Sequence, residues 1–294
     1  MTQVVRRYGS LRRFCTPLLA VGVLGTGLVA SPLHAGEPAS AALAAKIRAT
    51  HILVIGTTGN NGGDIVRALD AIGAKPRLLV RDLAKAQERF PGERDWVQGD
   101  ITKPETLGPA MQGIQVVINA AATRDATGPN NFEAVDLAGT QNVIAAAKVA
   151  GVKRIVLITG MTVGRPESEW PKMFVKGFAA KREAEKAMIG SGLEYVILRP
   201  TGIRPRPANQ WSIALIAQKD YQVSADEIAM RAPTTPADPN GPPPAGSISR
   251  ADLAEVAIVT AVHSNARDRI FIVTQGREPA SDQWVKLLKR MPRS

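Results

Sequence analysis

The chain has 294 residues, 45% hydrophobic and 21% charged, with a formal net charge of +11: enough for one large α/β domain or two small ones with a buried core. A single cysteine, Cys15, rules out a disulfide framework, and three scattered histidines (His34, His51, His263) match no ligand spacing, so no metal site is expected. The basic residues form no Lys/Arg run of five or more and accompany no nucleic-acid motif, so nucleic acid is not the expected partner.

The first 35 residues read as a signal peptide. Arg6, Arg7, Arg12 and Arg13 precede an apolar stretch from Pro17 to Ala30, and Leu33-His34-Ala35 ends the segment with Ala35 as a plausible last leader residue. Ser10-Leu11-Arg12-Arg13-Phe14 resembles a twin-arginine leader, a route that exports folded proteins. The expected location is therefore outside the cytoplasm, in the periplasm. An ordinary secretory leader is an open alternative, as is an uncleaved one that attaches the protein to a membrane, although the stretch is short and Gly-rich against the roughly 20 apolar residues a span needs. Residues 36–50 read as a spacer, and residues 51–294 as a single domain.

From His51 onward, short apolar runs alternate with helical patterns. Ile52–Ile55, Leu78–Val80, Trp96-Val97, Val116–Ile118, Ile155–Ile158, Tyr195–Leu198 and Ile270–Val273 are seven strand candidates. Their runs are continuous rather than alternating, which suits strands buried on both faces of a parallel sheet. Asp64–Ile72, Asn131–Ala150 and Lys181–Ile189 are amphipathic helix candidates between them. The alternation predicts an α/β fold, a Rossmann-type doubly wound parallel sheet. Between strands six and seven lies a variable insertion, about residues 203–247, with a helix-like stretch around Trp211–Gln218 and six prolines within 232–246. Its place near the carboxyl ends of the strands suits a small cover over a substrate, and a tolerated surface loop is the alternative.

Gly56-Thr57-Thr58-Gly59-Asn60-Asn61-Gly62 follows the first strand directly and opens a helix. Glycines there permit a tight turn and close approach to a pyrophosphate, the helix N-terminus offers free N–H groups, and Asn60 and Asn61 can add donors. The second strand ends at Arg81-Asp82. An Arg at that tip accommodates the extra phosphate of NADP(H), whereas Asp82 keeps NAD(H) open. Asp100 and Ile101 follow the third strand, where the carboxylate can accept from an adenine amino group. Asn119-Ala120-Ala121 follow the fourth, where small residues let the backbone pass close to a dinucleotide.

In this order the segments resemble the atypical short-chain dehydrogenase/reductases, in particular their NmrA-like, NAD(P)H-binding branch. Gly56–Gly62, Val80-Arg81-Asp82, Gly99-Asp100, Asn119–Ala121, Val135–Ile144, Leu198-Arg199-Pro200-Thr201-Gly202 and Ile248–Ala254 carry the resemblance, over about residues 51–275. It implies a cofactor-binding set that also takes in Thr58, Thr159, Lys181 and Pro200. It further implies a Tyr-x-x-x-Lys pair and a Ser for proton transfer. Here Lys181 stands at the place of that Lys, but Gly177 stands four residues before it, and Thr159 or Thr162 is left to substitute for the Ser. Catalytic candidates are thus Lys181 and Thr159 without the usual acid. The expected function is an NADP(H)-dependent oxidoreductase lacking the Tyr, acting on a small molecule the sequence does not name. A non-catalytic NADP(H)-binding redox sensor and an assembly or accessory protein are the alternatives, and a monomer or small oligomer is expected. Lys181 could also be an ordinary solvated charge pairing along its helix. Tyr195 and Tyr221 are the other hydroxyl candidates, and Trp170 and Phe174 could line a substrate pocket or simply pack.

Overall fold

The computed structural model describes residues 38–218 and 246–292. The signal-peptide reading of residues 1–35, Tyr221 and nearly all of the proline-rich stretch lie outside the described residues.

Each sequence-predicted strand forms. β1 (Ile52–Ile55), β2 (Arg77–Val80), β3 (Asp95–Gln98), β4 (Val116–Asn119), β5 (Arg154–Ile158), β6 (Glu194–Pro200) and β10 (Arg269–Pro279) run parallel in one sheet. An antiparallel eighth strand, β8 (Trp211–Gln218), completes the order β3-β2-β1-β4-β5-β6-β10-β8. Two short strands, β7 (Gly202–Arg204) and β9 (Ser247–Ser249), pair separately. The helices are α1 (Pro38–Arg48), α2 (Asn60–Ala71), α3 (Leu83–Arg89), α4 (Leu107–Met111), α5 (Gly139–Val149), α6 (Val175–Ile189), α7 (Arg250–Val262) and α8 (Gln283–Arg290).

Helices cover both faces of the sheet, which is why the strand runs are apolar at every position. β1 shows the division residue by residue. Ile52 and Val54 enter one core with Ile65 and Leu69 of α2 and Val256 and Val259 of α7. Leu53 and Ile55 enter the other with Leu107 and Met111 of α4 and Val143 of α5. Side chains alternate across a strand, so each strand feeds both cores. Each such fully buried aliphatic contributes roughly 1.5–3 kcal/mol. The strand order reverses between β1, which pairs β2 on one side, and β4 on the other. That reversal opens a crevice at the carboxyl ends.

Two sequence readings are corrected. Residues 36–50 are not merely a spacer: residues 38–48 form α1, and its Ile47 is fully buried in the first core. The cause is local. The Ala-rich run favours a helix, Lys46 Nζ donates to the Val262 carbonyl at 2.6 Å at the end of α7, and Arg48 Nη1 donates to the Ile72 carbonyl at 3.2 Å just past α2. Cations at helix C-termini satisfy the last carbonyls. The stretch Trp211–Gln218 is a strand rather than a helix. Ile213 and Leu215 are buried with exposed or half-buried neighbours, a period of two, and the strand pairs β10 from Gln275↔Ile213 to Ile270↔Gln218. The first part of the insertion is therefore a sheet edge.

Candidate functional site

The glycine loop leaves β1 through Gly56, whose φ of +81° favours glycine. A Cβ at Gly56 would stand 2.7 Å from the Ala121 nitrogen, so the loop and the exit from β4 lie back to back. Gly59 caps α2 in an extended conformation, and its carbonyl accepts the Gly63 N–H at 2.9 Å. Gly62, buried in the first turn of α2, would place a Cβ 2.1 Å from the Gly56 carbonyl oxygen. Thr57 ties the loop to β2 through its hydroxyl, 3.4 Å from the Leu79 carbonyl.

Above this loop lies a cleft of about 310 Å³ lined by Gly56–Gly59, Val80-Arg81, Gly99–Ile101, Ala120–Thr123, Asn130 and Val135, among others. The structure thus brings together Gly56, Thr58, Gly59, Arg81, Asp100, Ile101, Ala120 and Ala121 from the predicted set. Asn60, Asn61 and Gly62 form the first turn of α2 behind the loop. Asn119 is fully buried beneath the β4 exit. Its Oδ1 accepts the Ala121 N–H at 3.1 Å, and its Nδ2 has no hydrogen-bond partner among the described residues. Thr159, Lys181 and Pro200 do not line this cleft but belong to the β5–β6 side.

The two residues at the β2 tip differ in their engagement. Asp82 caps α3, accepting the Lys85 N–H at 3.1 Å and pairing with its ammonium at 3.2 Å. These contacts, led by the backbone N–H, hold its carboxyl below the usual range. Arg81 is exposed and lines the cleft, and its guanidinium has no partner among the described residues. Asp100 spends one carboxylate oxygen on the Thr102 N–H and hydroxyl, both at 2.9 Å.

On the far side, the polar side chains bind one another. Lys181 pairs with Asp136, whose side chain is 1% exposed, and the other Asp136 oxygen accepts the Thr123 N–H at 3.3 Å. The Thr159 hydroxyl donates to Glu185 at 2.6 Å; Glu185 in turn pairs with Arg199 at 2.7 Å, both side chains being fully buried. Arg199 reaches on to Gln218 of β8 at 2.8 Å. At Gly177 a Cβ would meet the Phe132 ring at 3.1 Å, so an aromatic ring occupies the space beside the position where the missing Tyr would stand. Trp170 is buried; its Nε1 donates to the Thr162 carbonyl and Arg182 stacks on its ring 4.2 Å away, so it packs rather than lining the cleft. Phe174 is 45% exposed. Tyr195 is the second residue of β6, at the amino end of the sheet, opposite the cleft; burial, then the Asp268 charge, pushes its phenol up.

A second polar cluster lies where α7 begins. Asp252 is fully buried and accepts from the Asn209 N–H at 2.8 Å and from Gln275 Nε2. Burial pushes its carboxyl up to about 6. Glu255, one turn on and 2% exposed, is pushed up to about 8 by burial and then by the charge of Asp252, and its Oε2 has no hydrogen-bond partner among the described residues. Asn209 takes a left-handed φ of +59° between the two carboxyls. Sequence patterns gave no sign of Asp136, Glu185 or Glu255 as partners. Each is an ordinary acid on a helix, and its partner lies on another element.

The dinucleotide fits this geometry. The glycines at 56 and 59 let a ligand approach the loop backbone closely, and the N-terminus of α2 stands behind it, which are the features a pyrophosphate needs. Among known proteins, the family model described as NAD(P)H-binding matches residues 56–232. The chain is 27% identical over 238 residues to YhfK of Bacillus subtilis, described as an uncharacterised sugar epimerase, covering 80% of this chain and 99% of that protein. It is 27% identical over 240 residues to the photosystem II assembly factor Ycf39 of Cyanophora paradoxa, covering 82% of this chain and 68% of the other. A short-chain dehydrogenase/reductase of Veillonella parvula solved in complex with NADP shares the fold, with a TM-score of 0.56 at 16% identity over 78% of this chain and 98% of the other. With a matched family model spanning most of the chain, and a cleft built as that family requires, this protein belongs to the NAD(P)H-binding family and fits the atypical short-chain dehydrogenase/reductases.

Proposed function

We propose that the chain binds NADP(H) in preference to NAD(H) and serves as an oxidoreductase that lacks the usual Tyr. The observation that carries the preference is the β2 tip: Asp82 is committed to capping α3, whereas the Arg81 guanidinium is free at the cleft wall. A free Arg favours a ribose phosphate, and the NADP complex of the Veillonella relative agrees with that reading. Bound nicotinamide would supply the hydride chemistry. The chain's part is to hold the pyrophosphate against Gly56–Gly62, receive the adenosine between Arg81, Asp100 and Ile101, and leave the β4–β5 side for the nicotinamide half and a substrate. Titrating NADPH and NADH into the nucleotide-stripped protein by calorimetry tests the reading. NADPH binding well above NADH is the expected result, and a folded protein that binds neither refutes it.

One observation favours a second reading, in which NADP(H) is bound without turnover, as in a redox sensor or accessory protein. Gly177 carries no hydroxyl, the Thr159 proton is given to Glu185, and the Lys181 ammonium is paired with Asp136. Exchange of hydride from 4-deuterated NADPH to a panel of carbonyl compounds separates the two readings, since transfer to any of them requires turnover. We also propose export through residues 1–35. Replacing Arg12 and Arg13 by Lys should leave the protein in the cytoplasm if the twin-arginine route is used, and normal export of that variant would reject the route.

A further inference from the structure

We propose that the end of the molecule opposite the cleft docks on an anionic phospholipid surface and leaves the cleft facing solution; this goes beyond the NADP(H) reading and does not rest on it. In a doubly wound parallel sheet the helices run back against the strands, so helix C-termini and strand starts gather at the amino end. Backbone carbonyls there are capped from neighbouring elements. Lys46 reaches Val262 and Arg48 reaches Ile72, Arg77 Nη1 donates to the Gln112 carbonyl at 2.7 Å, and Arg154 Nη1 donates to the His263 carbonyl at 2.9 Å. Asn265 Nδ2 donates to the Lys289 carbonyl at 2.9 Å, which sets the end of α8 beside the end of α7. Cations at helix C-termini are ordinarily explained by the helix dipole and the last carbonyls, and that explanation covers Arg48, Arg77 and Arg154. The dipole also favours Lys148 in the last turn of α5 and Lys289 and Arg290 in the last turn of α8. Yet their side chains, like that of Lys153, are exposed and reach no carbonyl or carboxylate among the described residues.

The acids at this end do not offset that charge. Toward β3, Glu88 and Glu93 balance Lys75 and Arg89. From β4 to β10, Glu194 is taken by Arg154 at 2.7 Å and Asp268 by Arg267 at 3.5 Å, so no carboxylate among the described residues is left for the lysines. A shallow hollow of about 160 Å³, lined in part by Lys46, Lys153, Arg154 and Glu194, makes the surface continuous from α1 to β5. Two aliphatic side chains stand within it. Val149, 91% exposed, lies between Lys148 and Lys153, and Leu287, 52% exposed, lies between Lys286 and Lys289. Cations around exposed aliphatic tips suit a bilayer surface, where ammonium groups meet anionic headgroups and the tips enter the boundary with the acyl chains. A nucleic acid would meet the same cations, but it is bound through phosphates, base edges and stacking, to which an exposed Val and Leu add nothing.

The test is flotation of the full chain with vesicles of phosphatidylcholine, alone or mixed with phosphatidylglycerol. The wild type should float with the anionic vesicles, come off them as salt rises, and leave the neutral ones unoccupied. Each cation near the surface contributes about fivefold to partitioning, so Lys148→Gln, Lys153→Gln and Lys289→Gln together should lower it about 100-fold. The same loss of charge at the cleft end, through the exposed Lys103→Gln, Lys172→Gln and Lys176→Gln, should lower it less than about threefold, because those groups stand beyond a screening length from the lipid. NADPH affinity should be the same with and without anionic vesicles, since the cleft faces away. No flotation with anionic vesicles, equal flotation with neutral ones, an unaffected first triple variant, equal losses for the two triple variants, or NADPH excluded by vesicles would each overturn the inference. Displacement of the chain from vesicles by an equal weight of duplex DNA would make nucleic acid the occupant and overturn it as well. The flotation arms need no cofactor, so their failure and that of the NADP(H) reading are distinguishable.

Discussion

On the β1–β4 side of the cleft, the lining is mostly backbone and small side chains: Gly56, Gly59, Ala120, Ala121 and one free Arg. On the β5–β10 side, the side chains are long, charged and tied to one another: Lys181 to Asp136, Thr159 to Glu185 and Arg199, Asn209 to Asp252 and Glu255. The first region is open to an anion before any ligand arrives. The second spends its polar groups internally, which makes it rigid and leaves little to donate. A binding function thus rests on the first region, and any chemistry has to be found in the second.

The sharpest way to break the first region is Gly62→Val. Its Cβ would fall 2.1 Å from the Gly56 carbonyl oxygen, which is backbone and cannot swing aside as a side chain would. The loop has to move, so NADPH binding should be lost, with a stability cost of about 1–3 kcal/mol from overpacking. Retained NADPH affinity in calorimetry would show that the loop does not hold the pyrophosphate. The next effect is selective. Arg81→Ala should weaken NADPH about 10- to 100-fold and leave NADH alone, the scale of one hydrogen-bonded charge. Equal losses for both cofactors would place Arg81 in general steering and remove the basis for NADP(H) preference.

The two regions also differ in how far they could be read before the structure. The strand runs, the glycine loop and the tips Arg81, Asp100 and Asn119–Ala121 were legible because their signals are local: a run of buried residues, or a backbone requirement within seven positions. β8 looks helical in the sequence because its alternation is interrupted by Ala214 and Ala217, which suit a helix, and only pairing with β10 makes it a strand. α1 looks like a spacer in the sequence because its anchors, Val262 and Ile72, lie far along the chain. Lys181 could be named from its helix, but Asp136 and Glu185 gain their meaning from neighbours 45 and 14 residues away. Tertiary partnership of that kind leaves no periodic mark.

The second region can be tested by pH. Glu255 holds its proton up to about 8 in the folded protein, against an ordinary value of 4.5. Between those values the unfolded chain releases a proton that the folded one keeps, so the folded state binds more protons and stability falls as pH rises. Asp252 acts in the same direction between 3.8 and about 6. Melting temperature should therefore be higher at pH 5 than at pH 8 on account of these two groups. Glu255→Gln is neutral throughout and should flatten much of the slope above pH 5. A variant whose melting temperature falls between pH 5 and 8 as steeply as the wild type would show that Glu255 is not the group responsible.

The smallest effect bears on why the Tyr is missing. Gly177 lies in the first turn of α6, where Ala gains at most about 1 kcal/mol of helix propensity over Gly. Against that, the new Cβ would lie 3.1–3.2 Å from three atoms of the Phe132 ring, which is itself buried and must yield by a few tenths of an ångström. The two terms nearly cancel, so Gly177→Ala should stay within about 1 kcal/mol of the wild type. Gly177→Tyr cannot be accommodated in this way. Its ring needs the space that Phe132 fills, and the expected cost is about 1–3 kcal/mol with no gain in carbonyl reduction. If Gly177→Tyr melted like the wild type and turned over carbonyl compounds, Phe132 would be a side chain that yields and the site a reductase short of one hydroxyl. If it is destabilised and inert, the absence of Tyr belongs to the packing of this half of the molecule: the ring beside Gly177 and the internal pairing of Thr159 and Lys181 act in the same sense, and restoring a single residue does not restore a proton donor.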